Sequence, residues 1–315
     1  MEHKRANAVF TSIILTDILI EFLFGFVLYD KIDADIFVLI ELFIEVVYLI
    51  PLLAVMLIRR DKSEPMTERL GFRKMKASTI LLVVLYSIAV LPIGSFANSI
   101  GMLFTENEIV KDSYIFLEQP FWISFLSIAI EPPLVEELIF RGAILGGYKK
   151  AGFKRAAIIM SALLFGLFHM NLNQFVYAFA VGILFALVVE ATGSIWSSMI
   201  CHFLFNAESV VEMYLFDYLY PGIFEEYEFD NTGMGDTIIE CAIIAVFAII
   251  IIFILLKVMS KKEGREEELQ EFFFTADKAK IRQHIATPIL WVGIVISIIW
   301  IGLWELLTVL ERMQT

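Results

Sequence analysis

The sequence predicts an all-α, polytopic integral membrane protein of about nine transmembrane helices, with a cytoplasmic N-terminus. Three observations carry this prediction. Of 315 residues, 59% are apolar and 19% charged, with a mean hydropathy of +0.79, whereas soluble domains carry about 25% charge. The apolar residues gather into runs near the length of about 20 needed to cross a bilayer. The basic residues fall on alternate loops between those runs. A soluble chain this apolar would expose patches it could not bury, which excludes a soluble enzyme. The net charge of −12 argues against a nucleic-acid partner.

The runs are expected at 8–29, 36–58, 78–100, 121–145, 155–170, 174–191, 194–216, 237–257 and 288–309. The first is too long for a signal-peptide core, and no small-residue cleavage site follows it, so it reads as an uncleaved anchor. The basic loop Arg59–Lys76 after the second run suits anionic headgroups. The fifth and sixth runs are short and are separated only by Asn171–Gln174. A re-entrant hairpin or a lost span there would leave eight helices. The loop Asp217–Asp236 is acidic, and Ser260–Ala286 mixes charge with Phe272, Phe273, Phe274 and Ile281 as an interfacial helix would. Thr287–Pro288 supplies an N-cap and a first-turn proline for the last run.

With the N-terminus inside, twenty of the 24 Lys and Arg residues fall on cytoplasmic segments. Lys31, Lys111 and Arg312 fall outside, and Arg141 lies within a span. Losing either short run would invert everything after it, so the bias supports keeping both. Three segments follow: 1–119 with the first helices and the basic loop, a helical core at 120–216, and 217–315 with the acidic loop and last helices. Cys201 and Cys241 lie near opposite faces in different spans and read as packed hydrophobes, without a disulfide.

Ionisable groups within the hydrocarbon each cost about 2.5–3.5 kcal/mol or more at a helix centre, so each needs a reason. In the fourth run, Glu137 and Arg141 stand four residues apart on one face and form a natural ion pair. Glu136 is turned about 100° away and lacks that partner. An unpaired carboxylate in a low dielectric holds its proton more tightly than in water, as a general base near neutrality requires. Pro132 and Pro133 are expected to interrupt the helix just before it. Phe165-Gly-Leu-Phe-His169 places a histidine in the fifth run. His202-Phe-Leu-Phe-Asn206 places a histidine and an amide on one face of the seventh. Each alone reads equally as a helix staple or interhelical hydrogen bonding.

Together, and in this order, Glu136-Glu137-Leu-Ile-Phe-Arg141, Phe165-Gly-Leu-Phe-His169 and His202-Phe-Leu-Phe-Asn206 resemble the CPBP intramembrane protease family. That family is related to the type II CAAX prenyl endopeptidases and includes bacteriocin-processing members. The resemblance covers residues 120–210 or so. It implies peptide-bond hydrolysis without an acyl-enzyme, with membrane lipid around the chain and a peptide or membrane-protein substrate that could be lipidated. By that resemblance Glu136 polarises a water held from the other side by His169. His202 and Asn206 donate to the developing oxyanion, and Glu137 and Arg141 orient the site. The expected mechanism uses no cofactor. The rival is zinc held by Glu136, His169 and His202, a two-histidine, one-carboxylate set; the absence of HExxH weighs against it. A cysteine mechanism fails because Cys201 and His202, as helix neighbours, point about 100° apart.

Two non-hydrolytic alternatives remain. A membrane scaffold or immunity protein would tolerate Glu136→Gln, and a transporter would need an inverted repeat that the sequence lacks. Counted at 1.5 Å per residue from the cytoplasmic ends, Glu136 lies roughly 14 Å deep, His169 roughly 21 Å and His202 roughly 12 Å. This predicts a chamber opening toward the cytoplasmic half, in a cell membrane if the source is prokaryotic. Asp17 and Glu21 on the first run, with Glu41 and Glu45 on the second, have no basic partner there. They read as protonated acids bridging two helices, or as a polar path or cation site.

Overall fold

A computed structural model of the chain describes residues 2–23, 40, 43–57, 64–224, 232–274 and 284–313. Among these, the longer helices are α1 (Glu2–Leu23), α2 (Leu49–Leu57), α3 (Ala77–Gly101), α4 (a continuous helical run over 121–150), α5 (Lys154–Phe168), α6 (Leu172–Thr192), α7 (Ile195–Leu219), α8 (Met234–Glu263) and α9 (Pro288–Arg312). No strand occurs among the described residues. The all-α, polytopic membrane architecture is as the sequence predicts, and a helix lies within each expected run.

The boundaries differ in instructive places. The first helix starts at Glu2, not near residue 8, because His3 and Asn7 are buried. Asn7 donates to the Ile285 carbonyl and to Thr287 Oγ1, both at 2.9 Å, and accepts from Tyr148 at 2.6 Å. Thr11 donates to the Ile289 carbonyl at 2.7 Å. These bonds tie α1 to the start of α9, and their polar groups would be expensive in lipid if unpaired.

Among the described residues, five helices are long and apolar enough to cross a membrane: Glu2–Leu23, Ala77–Gly101, Leu172–Thr192, Met234–Glu263 and Pro288–Leu310. The flanks of α8 show why a bilayer is needed. Ile243, Phe247, Ile250 and Ile254 are each more than half exposed, and a stripe of that kind in water would be an aggregation surface. The runs α4, α5 and α7 are not among the five. They carry the polar motif residues, and the core binds all three sequence segments into one cluster.

The helices alternate between two ends. At one end the basic loops meet: Arg69 pairs with Glu2, Lys149 with Glu190 and Lys150 with Glu64. Arg265 donates to the Glu190 carbonyl at 2.9 Å. The helix Glu266–Phe274 lies at this end, where Arg155 donates to the carbonyls of Phe272 and Phe273. At the other end Asn173 donates to Asn98 at 3.0 Å, Trp304 to Glu108 at 3.1 Å and Tyr214 to the Gln119 carbonyl at 2.8 Å. The sharp return from α5 to α6 uses Met170 with φ of 56°, and Asn171 caps α6 by accepting the Gln174 N–H at 2.8 Å.

Candidate active site

The site begins with the winding of α4. Residues Phe125–Ile130 form a π-helix, Glu131–Glu137 an α-helix and Leu138–Leu145 a second π-helix. Such wide turns in α-helices gather at functional sites. The expected interruption at Pro132–Pro133 is thus a change of winding: the chain stays helical through both prolines. Neither proline has an N–H to give. The carbonyl of Ile128 would take its bond from residue 132 in an α-helix or from residue 133 in a π-helix. Both are proline, so that carbonyl is left for another donor, and Asn206 Nδ2 on α7 donates to it at 2.9 Å.

One turn further, Glu137 and Arg141 are 0% and 3% exposed, and Arg141 Nη1 donates to Glu137 Oε1 at 2.9 Å. Arg141 Nη2 donates to the Gly182 carbonyl at 3.1 Å, and its guanidinium lies 4.3 Å from the Phe165 ring centroid and 5.3 Å from that of Phe185. A buried arginine held on several sides in this way is a fixed cation. Gly182 permits the approach: a Cβ there would stand 3.1 Å from Phe165 Cδ1.

Glu137 Oε1 also meets His202 Nδ1 at 3.2 Å. A carboxylate accepts, so Nδ1 carries the proton and Nε2 faces away from Glu137. His202 Nε2 stands 3.8 Å from Glu136 Oε2. Glu136 is 5% exposed, and its Oε2 has no hydrogen-bond partner. At the end of α5, His169 Nδ1 lies 2.9 Å from the Phe165 carbonyl. A carbonyl can only accept, so here too Nδ1 is the donor and Nε2 is left as an acceptor.

Glu136, His169, His202 and Asn206 line one cavity of about 890 Å³. Arg141 and Glu137 stand behind it and are not in its wall. Two residues given no role by the sequence reading shape it. Phe165 is edge-on to both His169 and His202, and Phe185 packs against His202 at 5.1 Å between centroids. Phe165 is the first residue of its motif, whereas Phe185 is one of 29 phenylalanines without a local signal. Cys201 is turned elsewhere and receives a hydrogen bond from Ser87 at 3.1 Å.

The cavity wall continues to Asn107, Phe216, Ile223 and Trp304. These lie at the end opposite the basic loops, and no lining residue belongs to the basic end. The expected opening toward the basic end differs from this lining, because residue counts along straight helices carry no information on the space between α7 and the 101–120 segment. Asp17, Glu21 and Glu45 also line the cavity, and Tyr48 donates to Asp17. Glu41 lies outside the described residues. In the 101–120 segment, outside the spanning helices, burial pushes the Glu108 and Asp112 carboxyls up from the ordinary range, so their charge is lost at a higher pH than usual.

An ion would require several of these side chains to converge. Among the described residues, no group of three or more His, Cys, Asp or Glu side chains is placed to hold one.

Residues 118–208 match the family model described as Rce1-like, type II CAAX prenyl endopeptidase Rce1-like. The match spans all three motifs and bears out their resemblance. The Bacillus subtilis (strain 168) protein named "Putative membrane peptidase YdiL" is 34% identical over 84 residues, which is 26% of this chain and 34% of that protein. The chain thus spans about a third of the length of that curated relative. No solved structure matches it.

Proposed function

We propose that the chain is a membrane protease that hydrolyses a peptide bond within the cavity, with Glu136 as general base and no metal. The observation that carries this reading is the buried Glu136 Oε2, without a hydrogen-bond partner and 3.8 Å from His202 Nε2. That separation suits a bridging water better than a direct bond. The Rce1-like match and the name of the B. subtilis relative support protease chemistry.

In this reading Glu136 takes the proton of a water that attacks the substrate carbonyl. His169 Nε2, a lone-pair acceptor, holds the same water from the other side. As the tetrahedral intermediate collapses, Glu136 returns the proton to the departing amine. His202 donates to the oxyanion only with a second proton on Nε2, because Nδ1–H is committed to Glu137. Glu137 is the counter-ion of that imidazolium, and Arg141 keeps Glu137 ionised and in place. Asn206 has two amide hydrogens. One holds the Ile128 carbonyl, and the other is available to the oxyanion. Losing such a donor typically lowers the rate about 10²–10³-fold.

We propose further that the basic end faces the cytoplasm, by the positive-inside rule. The cavity then opens toward the opposite side of the cell membrane, and the substrate is a peptide or membrane-protein segment, with or without a lipid.

The test is purified protein in proteoliposomes with a membrane-peptide library read by mass spectrometry. Hydrolysis should persist after chelation and dialysis, with no stoichiometric zinc, and should fall about 10²–10⁴-fold in Glu136→Gln. Zinc at one equivalent with chelator-abolished turnover would replace this mechanism by a metal one. Equal turnover by Glu136→Gln would remove the glutamate from it.

A further inference from the structure

The cavity has a marked sign of charge. Its wall includes Asp17, Glu21, Glu45, Glu108, Glu208 and Glu212, and no Lys or Arg lines it among the described residues. The acids come from separate elements: α1, the chain just before α2, the 101–120 segment and α7. Glu208 and Glu212 stand one helical turn apart on α7 and both line the cavity. Lys111 does not line the cavity; it lies 3.2 Å from Glu106 and 4.0 Å from the wall residue Glu108, whose charge it partly offsets.

Acids alone would be only bridging groups between helices. The second observation is at the inner end of the same space, where Glu136 presents a buried oxygen without a hydrogen-bond partner. The negative wall therefore leads to a buried acceptor that no protein group satisfies. A cavity of about 890 Å³ is the size of a pocket for an extended ligand and far exceeds the space of one ion. Trp300, Trp304 and Phe168 share the wall, giving apolar surface and aromatic faces that attract cations.

We propose that the substrate is a peptide carrying lysine, arginine or a free N-terminal amine near the bond to be cut, and that the cavity's carboxylates draw it in and hold its positive charge. This rests on the protease reading above and adds the substrate's charge class. A cleft lined by one sign within low-dielectric walls focuses field lines and raises the local concentration of an opposite charge.

Binding tests this separately from turnover. Full-length Glu136→Gln protein in phosphatidylcholine nanodiscs is titrated with two fluorescent peptides of one apolar core, one bearing a lysine run and the other a glutamate run. The lysine peptide should bind roughly tenfold or more tightly. Asp17→Asn/Glu21→Gln/Glu208→Gln/Glu212→Gln should abolish the difference. If that variant does not fold, the pairs Asp17→Asn/Glu21→Gln and Glu208→Gln/Glu212→Gln should each reduce it. Glu266→Gln/Glu267→Gln, exposed at the basic end, should leave it intact. Equal binding of the two peptides, or a preference that survives neutralisation of the wall, overturns the proposal. Stoichiometric calcium binding without any peptide preference overturns it in favour of an ion site. Wild-type protein that prefers the lysine peptide but hydrolyses neither leaves charge selection standing and removes the protease reading.

Discussion

Glu137 Oε1 is the most heavily used atom of the site: it accepts from Arg141 and meets His202. Removing Arg141 leaves a buried carboxylate without its cation, a change that typically costs about 3–5 kcal/mol. Arg141→Met should therefore lower the thermal midpoint in detergent sharply, and Glu137→Gln added to it should recover part of the loss. Two independent, additive losses would contradict the pairing. Glu136 is different, because no hydrogen bond holds its Oε2. Glu136→Gln should unfold at the wild-type temperature while turnover falls about 10²–10⁴-fold, the contribution of a general base. The Glu137–Arg141 pair was legible because four residues on a helix share a face. The aromatic cage around Arg141 was not: Phe185 comes from another helix, and no local pattern registers that packing.

At the scale of the element, α4 shows how a proline does more than break a helix. The motif spacing made Glu136, Glu137 and Arg141 legible, whereas the interruption expected at the two prolines is a change of winding within a continuous helix. Its form was not readable, because a missing N–H says only that a carbonyl is orphaned and not which distant group takes it. Pro132 and Pro133 leave the Ile128 carbonyl to Asn206, which docks α7 against α4 and aims the amide. Pro132→Ala restores an N–H that competes for that carbonyl. Turnover should fall while the thermal midpoint holds or rises. Combined with Asn206→Ala, it should add little to the loss from Asn206→Ala alone. Multiplying losses in that double-variant cycle would show that the two residues act separately.

At the scale of the molecule, the basic loops and the cavity mouth mark opposite ends. Hydropathy and charge made the helix order and its alternation legible, since each depends on composition along the chain. The direction of the cavity depends on gaps between helices, and residue counting carries no information about those. Single cysteines introduced into a cysteine-free background test the arrangement. Cysteine at Lys150 should be shielded from an impermeant reagent added outside intact cells and react after permeabilisation. Cysteine at Asn107 should react directly. The reverse pattern would place the cavity mouth in the cytoplasm.

The central claim is that the buried Glu136 cavity cuts peptide bonds. The most direct measurement compares the membrane peptides of cells carrying wild-type protein with those carrying Glu136→Gln at equal abundance, by mass spectrometry of new C-termini. A set of cleavage products should be present with wild type and absent with Glu136→Gln. The same products at the same level in both would contradict it.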